Sequence, residues 1–418
     1  MKVNFKLQSL AAVLAASSLV SPVFANEGNV PKGVPHLDHV FVIMMENHAY
    51  AQIVGNPNAP FTNAYIKKVN VAKNYFAVAH PSLTNYLEVV GGSNFGVLND
   101  NSPDWHNTNC VTNLSTGNPS LDDGNHPPIC PIWGTGTDAA TPAIDYSNET
   151  SGPPGEINID GTLAIPAASG ISGKTIADQL SSWGKTWKSY QESLPPIGAD
   201  GVNNSDGFFT SASDIPAAIP GEKQTLINLY AVKHNPFVYF QSVQEGHEGF
   251  KYVTGFDNQS GLFDDLGTGK VPNFSFIAPN QCNDQHGRGN AGPACDFDPV
   301  SNGTLVGLNP ALIFQGDLTI RRIVNAIHES PAWQDGHNAI VLVWDENDYS
   351  IAPTTNQVLL TVETNYGVHG VKSNRFYTHF SLLKSLEAGF RLPCLNHACD
   401  ANTDVMSELF ASDNDRDN

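Results

Sequence analysis

Four short polar clusters carry the chemistry of this chain: Glu46-Asn47-His48, His80-Pro81-Ser82, Asp284-Gln285-His286 and Asp345-Glu346-Asn347. Hydrolysis of a phosphate ester needs a nucleophile, cations that neutralise the transition-state oxygens, and acids that hold those cations. Glu46, Asp345 and Glu346 offer hard oxygen donors, and the Asn47 amide can bind a metal or a phosphate oxygen. Ser82 is a candidate nucleophile. A serine hydroxyl attacks poorly at neutral pH unless a base or a metal activates it, and here the neighbouring acids favour a metal. His80, His286, His369 and His379 are the histidines available to complete a metal shell or to act as general acid.

These clusters must be positioned by something rigid. The first follows Val40-Phe41-Val42-Ile43-Met44-Met45 and the last follows Ile340-Val341-Leu342-Val343-Trp344. Both runs are short, apolar and β-rich, the pattern of strands buried on both faces of a parallel sheet. In such sheets ligands bind beyond the carboxyl ends of the strands, so acids from opposite ends of the chain can converge there. Phe237-Val238-Tyr239-Phe240 and Phe274-Ser275-Phe276-Ile277 also read as strands. Helices are expected from Thr175, over Leu318 to Ser330 and over His379 to Phe390. Trp344, Phe41 and Leu382-Leu383 read as core, whereas Asp264-Asp265, the acids around His247 and Asp413 to Asp417 read as solvated surface.

Composition narrows the class. With 41 acidic against 21 basic side chains, the net charge of −20 argues against nucleic acid as a partner. Lys2 and Lys6, the apolar stretch Leu7 to Val20 and the small residues around Val23-Phe24-Ala25 read as a secretory signal over residues 1–25. Residues 26–418 then form one catalytic domain, and no segment is long and apolar enough to span a membrane. In an oxidising compartment the six cysteines favour disulfides, and short separations suggest Cys110 with Cys130, Cys282 with Cys295, and Cys394 with Cys399. A zinc cluster is the rival reading of the same cysteines. From Asn101 to Gly173 the chain is rich in Gly, Pro, Asn, Thr and Asp and lacks periodicity, which reads as a long excursion of loops.

Five motifs in order resemble the bacterial and fungal phosphoesterase family, which includes secreted acid phosphatases and phospholipases C and belongs to the alkaline phosphatase superfamily. They are Glu46-Asn47-His48, His80-Pro81-Ser82-Leu83-Thr84-Asn85-Tyr86, Pro279 to Gly287, Trp344-Asp345-Glu346-Asn347 and Thr378-His379-Phe380-Ser381-Leu382-Leu383. The resemblance implies a three-layer α/β/α fold with a mostly parallel central sheet. It also implies Glu46, Asn47, Asp345 and Glu346 as metal ligands, with Ser82 as the nucleophile that also touches the metal. Ser82 is preferred to Thr84 because the family's nucleophile stands three residues before an asparagine, here Asn85. Asp284, His286 and His379 or His369 are the donors for a second metal, or else bind phosphate, with His286 protonating the leaving group.

Oxygen donors suit Mg, Mn or Ca, and added histidines favour zinc. Two substrates fit the same core: phosphatidylcholine, cut as by a phospholipase C at a transient membrane-surface contact, or small phosphate monoesters, cut as by an acid phosphatase. The first is the leading expectation, with Trp105, Trp133, Ile129 and Ile132 of the loop excursion available to a choline head group. A secreted binding protein without catalysis is the alternative from another class.

Overall fold

The computed structural model describes residues 27–95, 97, 100, 171, 173–194, 203–204, 229–244, 249–257, 259–288, 291–300, 303–347 and 356–410. The signal segment, most of the Asn101 to Gly173 stretch with Cys110 and Cys130, His247 and the tail from Asp413 lie outside them.

Twelve strands occur among these residues: β1 (His39–Met45), β2 (Asn70–Ala72), β3 (Tyr75–Phe76), β4 (Trp187–Gln191), β5 (Asn203–Asn204), β6 (Tyr230–Ala231), β7 (Val253–Thr254), β8 (Phe274–Ala278), β9 (Asn338–Trp344), β10 (Leu360–Thr364), β11 (Lys372–Ser373) and β12 (Tyr377–Thr378). Eight of them make one sheet in the order β11-β2-β10-β9-β1-β8-β4-β7, in which β10 alone runs against the others. The two apolar runs read from the sequence are the adjacent central strands β1 and β9, and all of β9 is buried. Such strands have water on neither face, which is why they are continuously hydrophobic instead of alternating.

The helices are α1 (Tyr50–Ile53), α2 (Pro60–Tyr65), α3 (Ser82–Gly91), α4 (Ile176–Ser182), α5 (Gln241–Gln244), α6 (Leu262–Thr268), α7 (Pro310–Glu329), α8 (His379–Phe390) and α9 (Ser407–Phe410). Two groups stand out among them, α2 and α6 packed on α7, and α3 and α4 packed on α8. Alternate residues of β4 reach opposite layers: Tyr190 donates to Asp265 of α6 at 2.6 Å, whereas Ser189 donates to Asn235 at 3.1 Å. This is the expected three-layer α/β/α arrangement.

Several local expectations are corrected. Phe237 to Phe240 is no strand. Pro236 opens a 3-10 helix over Pro236–Tyr239, and its aromatic side chains are buried there instead. α7 begins before Leu318, because Asn309 caps it through Ala311 N–H at 3.1 Å and Pro310 takes the first helical position. Its Gly316 hides the start from a periodicity argument, yet a Cβ there would fall 2.2 Å from Gln285 Cγ. Asp265 is buried against Lys188 and Tyr190, not solvated. Cys282–Cys295 and Cys394–Cys399 are disulfides as expected, which removes the zinc-cluster reading for these four.

α2 has no side-chain cap of its own, so its first N–H groups need partners from elsewhere. Asp317 of α7, 1% exposed, accepts from Phe61 N–H at 2.9 Å and from Thr62 N–H and hydroxyl at 2.7 Å. Replacing it orphans buried donors across the α2–α7 contact. Asp317→Ala is expected to lower the unfolding free energy by about 3 kcal/mol, measured as a shift of the urea midpoint at unchanged slope.

Candidate active site

The register of β1 and β9 pairs Met45 with Trp344, so both strands end on acids at the same level. Asp345 N–H donates to Met45 carbonyl at 3.0 Å, and Glu46 N–H donates to Asp284 carbonyl at 2.9 Å. Main-chain bonds thus bring Glu46, Asp284 and Asp345 together before any side-chain chemistry is considered. Gln285 adds a clamp: it accepts from the Trp344 indole at 3.0 Å and donates to Ile313 carbonyl of α7 at 2.9 Å, in the space left by Gly316. The Cys282–Cys295 bridge closes the loop that carries Asp284 and His286. His48 ties Glu46 from the other side, with Nδ1 donating to Glu46 carbonyl at 3.0 Å and Nε2 facing Asp298 at 3.0 Å.

Ser82 is the first residue of α3, directly after Pro81, and is 1% exposed. Its hydroxyl lies 3.1 Å from Glu46 Oε2 and 3.1 Å from Glu346 Oε1. One hydroxyl proton serves only one of these oxygens at a time. Asn85, a turn further on, accepts from Val78 and Ala79 N–H at 3.1 and 3.0 Å and donates to Ala79 carbonyl at 2.8 Å and Glu346 Oε2 at 3.1 Å. The Ser82 to Asn85 offset therefore has a physical content: Asn85 fixes the chain leading into Ser82. Thr84 is buried too, but its hydroxyl meets none of these acids.

The acids are met by His80, which the sequence reading named, and by Lys233 and His234, which it passed over. His234 bridges Glu46 (Nε2 to Oε1, 2.9 Å) and Asp284 (Nδ1 to Oδ2, 3.1 Å) and stacks on Tyr86 at 5.3 Å. Burial works against its charge, but Glu46 and Asp284 outweigh it and hold its pKa up to about 9. Burial likewise disfavours the Glu46 carboxylate, yet His234 and Lys233 bring its pKa well below the usual range. Burial pushes Asp284 up to about 6, with His234 opposing. His80 holds Glu346 at 2.6 Å and has Asn347 at 3.1 Å. Lys233 lies 3.4 Å from Ser82 Oγ and 2.9 Å from Asp100. The signal for this pair was available: Lys233-His234-Asn235 interrupts a mostly apolar run from Leu229 to Phe240, where charge is expensive to bury without a task.

Asp345 is the exception. Neither of its buried carboxylate oxygens makes a side-chain hydrogen bond, and burial beside Glu46 and Glu346 pushes its pKa well up. Among the described residues no three His, Cys, Asp or Glu side chains stand in finished metal-binding geometry. The donor chemistry still fits a divalent cation, because Glu46, Asp345 and Glu346 converge and, among the described residues, no side chain hydrogen-bonds the Asp345 carboxylate.

The expected histidines divide. His286 is at the site, but its Nδ1 donates to Gly287 carbonyl at 2.7 Å, which turns the Nε2 lone pair towards Lys233 at 3.4 Å. Burial and Lys233 lower its pKa to about 4, so it is placed as an acceptor and not as the proton donor expected. His379 does not join as a ligand: its ring nitrogens are taken by the Tyr75 hydroxyl at 2.8 Å and Asp345 carbonyl at 2.6 Å. His369 is exposed and lies beyond the end of β10, which runs the opposite way and delivers it to the far end of the sheet. Asn47 is half-buried after Glu46 and enters none of these contacts.

His234 also gives the acid cluster a pH dependence. A histidine raised to about 9 from its ordinary value contributes stability that is complete below about pH 6.5 and lost as pH rises through about 9. Chelator-treated protein is expected to lose about 3 kcal/mol over that window, measured by denaturant titration at several pH values. His234→Gln should flatten the profile.

A profile of the phosphoesterase family matches residues 56–294. An acid phosphatase of Aspergillus fumigatus is 25% identical over 399 residues, covering 95% of this chain and 64% of that protein. A phosphatidylinositol-3-phosphatase of Mycobacterium tuberculosis is 24% identical over 412 residues, covering 97% of this chain and 95% of that protein. The chain thus spans just under two thirds of the fungal relative's length. Among solved structures, a protein in the alkaline phosphatase superfamily from Vibrio parahaemolyticus shares 10% identity at a TM-score of 0.44, covering 90% of this chain and 71% of that chain. With more than half of its length matched, this chain belongs to the phosphoesterase family.

Proposed function

We propose that this chain is a secreted, metal-dependent phosphoric ester hydrolase that attacks phosphorus with Ser82 and acts on phosphate monoesters. The observation that carries the reading is the Ser82 hydroxyl, which opens α3 between Glu46 and Glu346 with the Lys233 ammonium beside it. Either carboxylate can accept the hydroxyl proton as the oxygen attacks and the phosphorus–oxygen bond to the alcohol breaks; the same carboxyl can pass that proton to the departing alcohol, and water then releases phosphate from the serine. The first N–H groups of α3 and Lys233 present positive charge to the phosphoryl oxygens. A divalent cation, zinc or a harder ion such as Mg, Mn or Ca, held by Glu46, Asp345 and Glu346 beside Ser82, with Asn47 as the further ligand that the family resemblance implies, would lower the pKa of the serine hydroxyl and neutralise the phosphoryl group. His234 and His80 orient Glu46 and Glu346, and His286 supports Lys233.

Cleavage of phosphatidylcholine as by a phospholipase C would use the same serine. The monoester reading is preferred because the relatives are named acid phosphatase and phosphatidylinositol-3-phosphatase, and because a lysine beside the nucleophile matches the second negative charge of a terminal phosphate. Export is supported by the sequence signal and by the disulfides. A non-catalytic role would leave a buried serine between two acids without a purpose.

Ser82→Ala should lower turnover of p-nitrophenyl phosphate by roughly three to six orders of magnitude, and Thr84→Ala far less. Rapid acid quench with labelled substrate should leave phosphate on the Ser82 peptide. Near-normal turnover by Ser82→Ala would sink the assignment. A parallel assay on phosphatidylcholine decides between the two ester classes.

Chelation should abolish turnover. Because burial beside Glu46 and Glu346 raises the pKa of Asp345, adding back the metal should release protons from the site, read by calorimetry in two buffers of different ionisation enthalpy. Binding with no proton release would remove Asp345 from the ligand set.

A further inference from the structure

An ammonium has three N–H donors, and those of Lys233 meet three acceptors: Asp100 Oδ2 at 2.9 Å, His286 Nε2 at 3.4 Å and Ser82 Oγ at 3.4 Å. The His286 lone pair faces Lys233 because the other ring nitrogen is committed to Gly287 carbonyl. The lysine is therefore held at a fixed point beside the nucleophile. His80 and His234, by contrast, are engaged directly with the acids Glu346, Glu46 and Asp284.

The Asp100 carboxylate is the informative partner. One oxygen takes Lys233, and the other accepts from Leu83 N–H at 3.1 Å, next in the chain to Ser82. Its side chain is 33% exposed, whereas the acids around Ser82 are fully buried. An anion attacked by Ser82 must lie against the same hydroxyl, so its oxygens meet the donors that Asp100 now occupies. A carboxylate can stand in such a place as the protein's own surrogate for a phosphoryl group.

We propose that Lys233 is the specificity-determining residue of this site: its ammonium binds a non-bridging oxygen of the substrate's terminal phosphate, and that oxygen displaces the Asp100 carboxylate. The inference rests on the reading of the chain as a phosphate ester hydrolase and deepens it by assigning the group that favours a dianionic monoester over a monoanionic diester. Asp100 is then an internal competitor, and its removal acts in the opposite direction from removal of Lys233.

The test is the affinity of the full chain for inorganic phosphate, measured by calorimetry and as competitive inhibition. Lys233→Gln should weaken phosphate by about a hundredfold, as expected for loss of a charge-assisted contact, and Lys233→Arg should restore most of it. Asp100→Asn should tighten phosphate several-fold. Lys233→Gln should also lower kcat/KM for phenyl phosphate by a larger factor than for bis-p-nitrophenyl phosphate. Weaker phosphate binding by Asp100→Asn would mean that Asp100 merely positions Lys233, and would overturn the inference, as would equal losses on both esters. Wild-type protein that binds phosphate with these shifts but hydrolyses neither ester would overturn the catalytic reading and leave the anion site standing. An active enzyme with unchanged phosphate affinity across the variants would do the reverse.

Discussion

Repulsion among buried acids is the constraint on which this site depends. Glu46, Asp284, Asp345 and Glu346 are each at most 1% exposed, and strand register with main-chain hydrogen bonds gives them no freedom to move apart. Uncompensated, several carboxylates in one dry space are far less stable than the same acids in water. The molecule answers with side chains matched to particular oxygens: His234 between Glu46 and Asp284, His80 on Glu346, Lys233 alongside. These side chains are therefore parts of the acid site and not separate features.

Rigidity comes largely from groups that bind the main chain around the acids. His48 and His379 hold the carbonyls of Glu46 and Asp345, Gln285 spans Trp344 and α7, and Asn85 fixes residues 78 and 79 ahead of Ser82. α3 itself ends at Gly92, whose φ of 70° lies in the left-handed region. A Cβ at that residue would fall 2.5 Å from Leu395 carbonyl, so glycine lets the helix end against its neighbour. A serine at the other end of this helix is thus anchored at both ends of the element that presents it.

The sequence made the acids, the serine and the central strands legible because each depends on local pattern: an apolar run followed by carboxylates, or a proline before a helix-starting serine. Strand direction is not local. Nothing in Leu360 to Thr364 announces that β10 runs antiparallel, so His369 looked available and is at the wrong end. Side-chain commitment is equally hidden: His379 sits near the acids, but the Tyr75 hydroxyl and a carbonyl take both nitrogens. Lys233 and His234 were missed because the aromatic run beside them looks like a strand, whereas Pro236 turns it into a 3-10 helix. The same turn lets the bend at Val232–His234 deliver two charges inward.

Asp345 carries the case for the proposed cation. Its main-chain N–H and carbonyl are both satisfied, by Met45 and His379, while its buried carboxylate is left without a side-chain partner. A fold under pressure for stability alone would replace such a residue with an apolar or amide side chain, since a lone buried acid opposes folding. Keeping the backbone fixed and the carboxylate without a side-chain partner does the opposite, and fits the proposal that these donors hold a cation. The stability given up at Asp345 is thus the counterpart of the affinity proposed for a cation, and the hydrogen-bonded backbone around it keeps that affinity from being lost to rearrangement of the ligand.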